Sequence, residues 1–244
     1  MHKMQKTWIF YILISIISQS ALRAEDFSDS INNFLDAKEL GNPSKNCDCD
    51  FFFETSTLYS PVNKKTITLS IISSEKATSL FKTLKEDHIN SFNLNEEGCF
   101  ARAHRMAQML DEEGVLSGKI FAEGSIPFKG KNIEGFWSYH TASVILVRKK
   151  GKIIPTVIDP VLFDKPVSVD EWKKKLLKHP KAKIDRTFYT KRFIFNRTQL
   201  ELDFNSYDER DTETMLAYLK SFSMMANMQE LEDQNKLTKK DSKK

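Results

Sequence analysis

The sequence predicts an α+β fold, and three observations carry that expectation. A helix-patterned stretch holds a cysteine, Cys99, near its start. Two apolar runs, 137–147 (WSYHTASVILV) and 153–159 (IIPTVID), follow it as strands joined by a turn at 149–151. A helix carrying the cysteine and then antiparallel strands make up an α+β arrangement, with the helix packed on an antiparallel sheet.

Taken in order, the first residues read as an address. Basic His2, Lys3 and Lys6 precede an apolar run over 8–17, and small residues reach Ala21 and Ala24. This is the plan of a secretory signal, with an apolar run too short to span a bilayer comfortably, so residues 1–24 are expected to be removed. The mature protein is then soluble, secreted or periplasmic, without stable membrane association. Residues 27–40 are weakly helical and end on Gly41, Asn42 and Pro43, which break the pattern. The chain then stays polar, aromatic and irregular to Pro61, and residues 25–65 are expected to form an N-terminal extension, as a leader or a lid.

The catalytic domain is expected over 66–232. Residues 66–72 (TITLSII) alternate as a strand does, and Ser73 or Ser74 caps a helix to about Asp87 with Ala77, Leu80, Phe81 and Leu84 on one face. Next, Cys99, Ala103, Met106, Ala107 and Leu110 recur at helical spacing, which turns the cysteine inward and leaves Arg102, Arg105 and Gln108 on the polar side. Asn95 suits the cap, Glu96 and Glu97 a first turn, and Gly98 leaves the backbone beside the sulfur uncovered. Cys99 thus stands at a helix start, where unpaired N–H groups and the helix dipole favour a thiolate and can hold an oxyanion. A buried cysteine serving as a small hydrophobe fits the same pattern.

This helix is expected to stop near Gly114, followed by a short strand at 119–122. Residues 124–135, with three glycines and Pro127, read as a loop bordering the site. Pro155 places the returning strand 153–159 at an edge or a break. Ser168 and Glu171 have capping-box spacing and open a helix through Trp172, Leu176 and Leu177. Strands are expected at 187–195 and 200–204, and a helix at 211–231 whose Leu216, Leu219, Phe222 and Met225 face the core. Residues 233–244 read as a lysine-rich disordered tail.

The net charge of +4 is no sign of nucleic acid: Lys3, Lys6 and Arg23 supply three of those charges within the signal, and five lysines crowd 236–244. No basic stripe interleaved with aromatics is present, so a nucleic-acid partner is set aside. Three cysteines are an odd count for an exported chain. Cys47 and Cys49 can pair only in a strained ring, and as metal ligands they lack a second close pair, so no metal is expected. Cys99 is the odd thiol.

If Lys150 and Gly151 form a two-residue turn, position 142 faces 159, and His140 stands diagonal to Asp159 on the same face. A carboxylate on one ring nitrogen orients the imidazole and leaves the other for a cysteine. His104 lies about 140° around the helix from Cys99 and points elsewhere. His88 and His179 follow charged helices and read as solvated. Cys99, His140 and Asp159 are therefore the candidate nucleophile, base and orienter.

GCFARAHRM around Cys99, WSYHTASVILV around His140 and VIDPVLFDKPVSVDEW around Asp159 resemble the three catalytic segments of secreted bacterial protein-glutaminases. The resemblance spans about 66–178 and implies a papain- and transglutaminase-like fold with a Cys-His-Asp triad: Cys99 the nucleophile, His140 the acid and base, Asp159 the orienter. It implies deamidation of glutamine side chains in proteins or peptides, through a thioester and without a cofactor, by a monomer. Trp137 and Tyr139 flank His140 and are candidate substrate-binding walls, although core packing suits either. A transglutaminase or cysteine protease using the same triad, or a noncatalytic exported binding protein, are the alternatives.

Overall fold

The computed structural model describes residues 53–89, 98–129 and 134–241, all within one compact unit spanning 46–244. The signal, the 27–40 helix, Cys47, Cys49, Asn95, Glu96 and Glu97 lie outside the described residues.

The chain runs β1 (Thr55–Ser60), β2 (Lys65–Ser73), α1 (Ser74–Lys85), α2 (Cys99–Glu112), β3 (Gly118–Lys129), β4 (Glu134–Lys149), β5 (Lys152–Ile158), β6 (Val167–Ser168), α3 (Val169–Leu176), β7 (Lys183–Lys191) and α4 (Glu209–Asp241). The strands form a seven-stranded sheet in the order β1-β2-β4-β3-β7, with β5 on β4 and β6 on β5. Its pairs are antiparallel except one, since Ile71, Ile72 and Ser73 of β2 run parallel to Leu146, Val147 and Arg148 of β4. The chain between those strands contains α1, α2 and β3, long enough for the crossover that a parallel pair requires.

Long β4 organises the sheet, and its odd and even residues feed two cores. Ala142, Val144 and Leu146 join Leu69, Ile120, Val157, Trp172 and Leu176 beneath α3. Ile145 and Val147 pack with Phe81, Leu84, Met106 and Leu110 of α1 and α2. Each fully buried Val, Leu, Ile, Met or Phe side chain among these contributes about 1.5–3 kcal/mol of transfer free energy. A third cluster joins Ala101 of α2 to Phe195, Met215 and Leu219, and it seats α4 against the helix that carries Cys99.

Several expectations are corrected. Residues 55–60, irregular by pattern, form β1, which pairs along its whole length with β2. The sheet therefore begins ahead of the expected boundary at 66. The expected 124–135 loop is largely strand, because a register shift beyond Glu123 lets β3 continue as far as Lys129. Gly124 makes that shift possible, since a Cβ there would overlap the Lys183 carbonyl. β3 pairs with β7 only as far as Ser125, so Pro127 meets no strand on that side.

The strand expected at 187–195 is displaced to Lys183–Lys191. No strand forms at 200–204; a 3-10 turn at Arg197–Gln199 precedes it. Side chains engage the backbone there, with Gln199 Oε1 accepting from Phe195 N at 2.7 Å and Lys65 Nζ donating to the Leu200 carbonyl at 2.9 Å. Finally, α4 begins at Glu209 and runs through most of the expected tail to Asp241. Neither Gly nor Pro interrupts that stretch, which is rich in strong helix formers.

Candidate active site

Gly98 ends the approach to α2 in a left-handed conformation, φ 83°, and its carbonyl accepts the N–H of Arg102 at 3.0 Å. The glycine itself is the N-cap, in place of Asn95, so Cys99 is the first residue of the helix with no capping side chain before it. A Cβ on Gly98 would also collide with the ring of Phe222 from α4. Cys99 is a free, half-buried thiol. A first helical turn leaves its N–H groups without intrahelical partners, and these are the donors that an oxyanion beside Cys99 would use.

Arg102 and Gln108 depart from the expected polar face. Both are buried, because α4 packs over that side: the Arg102 guanidinium lies 5.8 Å from the Phe222 ring centre, and Gln108 Nε2 donates to Thr212 Oγ1 at 3.3 Å. Arg105 stays nearer the surface, paired with Asp87 at 3.1 Å.

The hairpin that delivers His140 and Asp159 turns on two residues, Lys150 and Gly151, with φ of 50° and 76°. These positive angles match the tight turn compatible with strand twist. Lys149 then faces Lys152 and Ser143 faces Ile158, a register that places 142 opposite 159 and His140 on the diagonal. His140 Nε2 lies 2.8 Å from Asp159 Oδ2, and both residues are about 98% buried or more. A carboxylate oxygen only accepts, so the shared proton sits on Nε2. His140 Nδ1 is buried and makes no hydrogen bond within the described residues, and the Cys99 thiol acts on the ring.

Burial is the largest single influence on His140 and opposes its charge. The Asp159 carboxylate and its hydrogen bond, together with Cys99, outweigh it and raise the imidazole to about 9. Asp159 is likewise resisted by burial, yet the His140 charge, hydrogen bonds from His140 and Trp172, and the Arg102 charge hold its carboxyl below the usual range. The buried pair is therefore an ion pair at neutral pH. An imidazolium beside a thiol stabilises the thiolate, which is the state that attacks carbonyl carbon.

Trp137 stacks on His140 with ring centres 4.8 Å apart, and Phe128 stacks on Trp137 at 5.1 Å. Tyr139, two residues further along β4, places its ring elsewhere, against Phe121 at 6.1 Å and beneath the Arg197 guanidinium. His104 is buried behind α2, 2.8 Å from the equally buried Lys119 amine. Burial first, and then the Lys119 charge, hold it well below the ordinary histidine range. His88 is largely exposed, and His179 makes a local contact with Lys181. Among the described residues no group of three or more His, Cys, Asp or Glu side chains could hold a metal.

Two residues at this site carry roles that their sequence pattern does not show. Arg102 falls on the polar side of its helix, and Trp172 on the core face of another. Trp172 is wholly buried, and its Nε1 donates to Asp159 Oδ2 at 2.8 Å. The signal for it is its place in the segment VIDPVLFDKPVSVDEW, thirteen residues after Asp159.

The cysteine-bearing helix packed on a largely antiparallel sheet is a papain-like α+β fold. Residues 77–176 match the family model described as Glutaminase. It is similar to the NMR structure of protein-glutaminase from Chryseobacterium proteolyticum, at 24% identity and a TM-score of 0.55, over 63% of this chain and 89% of that one. A crystal structure of protein-glutaminase matches at 24% identity and a TM-score of 0.52, over 63% and 91% of the two chains. One of pro-protein-glutaminase gives 24% and 0.54, over 63% and 58%. At this identity the structural likeness establishes the fold. The curated proteins contain no match.

Proposed function

We propose that the chain is an exported thiol amidohydrolase that converts glutamine side chains of proteins or peptides to glutamate and releases ammonia. The observation that carries this reading is the buried His140-Asp159 pair with the second imidazole nitrogen left to Cys99. The family match supplies the substrate class.

The Cys99 thiolate attacks the γ-carboxamide carbon, forming a C–S bond while the carbonyl oxygen takes negative charge beside the N–H groups at the start of α2. His140 passes its Nδ1 proton to the amide nitrogen, the C–N bond breaks, and ammonia leaves a thioester. Neutral His140 then takes a proton from water, whose oxygen attacks the same carbon. The C–S bond breaks, glutamate is released, and the thiolate-imidazolium pair is restored. Asp159 orients the ring and stabilises its charge throughout. Trp137, stacked on the imidazole, walls the site against water. No cofactor takes part, and a monomer suffices.

Residues 1–24 act as the export signal, leaving the chain secreted or periplasmic, and the segment between that signal and β1 is an N-terminal extension. No helix among the described residues is long and apolar enough to cross a membrane. The reaction type is tested by mass spectrometry of casein treated with the mature protein. Deamidation adds about one mass unit at each modified glutamine, whereas crosslinked species would indicate transfer to lysine and fragments would indicate proteolysis.

A further inference from the structure

We propose that Trp172 is a positioning residue of this site, holding the Asp159 carboxylate in the one orientation that fixes His140 for Cys99. The proposal rests on the thiol-hydrolase reading above and extends it to a residue outside the triad.

One carboxylate oxygen, Asp159 Oδ2, accepts from two donors, His140 Nε2 and Trp172 Nε1, each at 2.8 Å. An indole N–H is a donor in every protonation state of the site, so the contact persists whether the imidazole is charged or neutral. It pins the carboxylate against rotation. With the carboxylate fixed, the imidazole proton is held on Nε2 and the basic lone pair on Nδ1, the tautomer that proton exchange with Cys99 requires. The Trp172 ring also stacks near the imidazole, with centres 5.9 Å apart.

The support for Trp172 is itself rigid. Ser168 caps α3 by accepting the Glu171 N–H at 3.2 Å, and Val167, one residue earlier, pairs with Val157 of β5. β5 is the strand that ends at Ile158, immediately before Asp159. Donor and acceptor are thereby carried by two elements joined directly to each other. The other charged or titratable groups acting on Asp159 are His140 of β4 and Arg102 of α2, with Cys99 acting on His140. A core tryptophan needs its N–H satisfied in any case. What sets Trp172 apart is that its acceptor is the oxygen that orients His140.

The test is Trp172→Phe, which keeps an aromatic ring in the core and removes the donor. Activity on a blocked glutamine peptide should fall about tenfold to a hundredfold in kcat with KM little changed, the loss expected for one hydrogen bond to a charged group. The acid limb of Cys99 alkylation by iodoacetamide should shift in the variant, because Asp159 loses a hydrogen bond to its charged form and then holds its proton more tightly. A variant with wild-type kcat and a superimposable alkylation profile, even one that melts earlier, would overturn the proposal and leave Trp172 as packing. Should the variant not fold, 15N-labelled indole spectra of the wild type decide: the Trp172 N–H resonance should titrate with the alkylation limb and shift in Asp159→Asn. Indifference to both would overturn it. A wild type that releases no ammonia would refute the glutaminase reading alone, since alkylation and indole spectra need no substrate.

Discussion

Gly98 and Phe222 occupy one space: the ring from α4 fills the volume that any side chain at position 98 would need, immediately before the thiol. The C-terminal helix is thus fitted to the backbone that presents Cys99, and the left-handed conformation of Gly98 adds a second reason for glycine there.

Gly98→Ala should therefore destabilise the protein by about 2 kcal/mol or more, combining the cost of a left-handed non-glycine residue with overpacking. Phe222→Ala alone should cost about 3 kcal/mol. In the double variant the costs should be less than additive, because removing the ring relieves the collision and leaves only the backbone strain. Urea unfolding of the four proteins measures the coupling; strict additivity would show that the ring and the Gly98 backbone do not meet.

The His140-Asp159 pair makes stability depend on pH at both ends. His140 is raised in the folded state from 6.5 to about 9, so its contribution is complete below 6.5 and disappears as pH rises through about 9. Asp159 is depressed below 3.8, so its contribution is present above that value and is lost as pH falls through the lower folded value. The urea midpoint of the wild type should drop between about pH 6.5 and 9.5 by more than that of His140→Asn, which lacks the titration. Equal drops in the two proteins would contradict the ion pair.

The parts of this site legible in the sequence are those set by local chemistry. Lys150-Gly151 dictates a two-residue turn, and the turn dictates the register that brings His140 to Asp159. That Cys99 stands at a helix start is legible as well, although the cap is Gly98 and not the expected Asn95. Arg102 defeats the pattern because the surface that buries it comes from α4, more than a hundred residues later, and helical periodicity cannot show which polar side another element will cover. Trp172 patterns as core, which it is. Its indole N–H acquires meaning only through the pairing of β6 with β5, two short segments whose register no local pattern fixes. β1 is hidden because TSTLYS offers too little apolar alternation, and its strand state comes from pairing with β2.

The most direct test of the central claim is ammonia release from a short blocked glutamine peptide, with free glutamine as comparison, by the mature protein and by Cys99→Ala. The wild type should release ammonia from the blocked peptide, with a loss of about a thousandfold or more in the variant and no loss of fold. Release that survives the replacement of Cys99 would contradict the thiol mechanism and the role assigned to the start of α2.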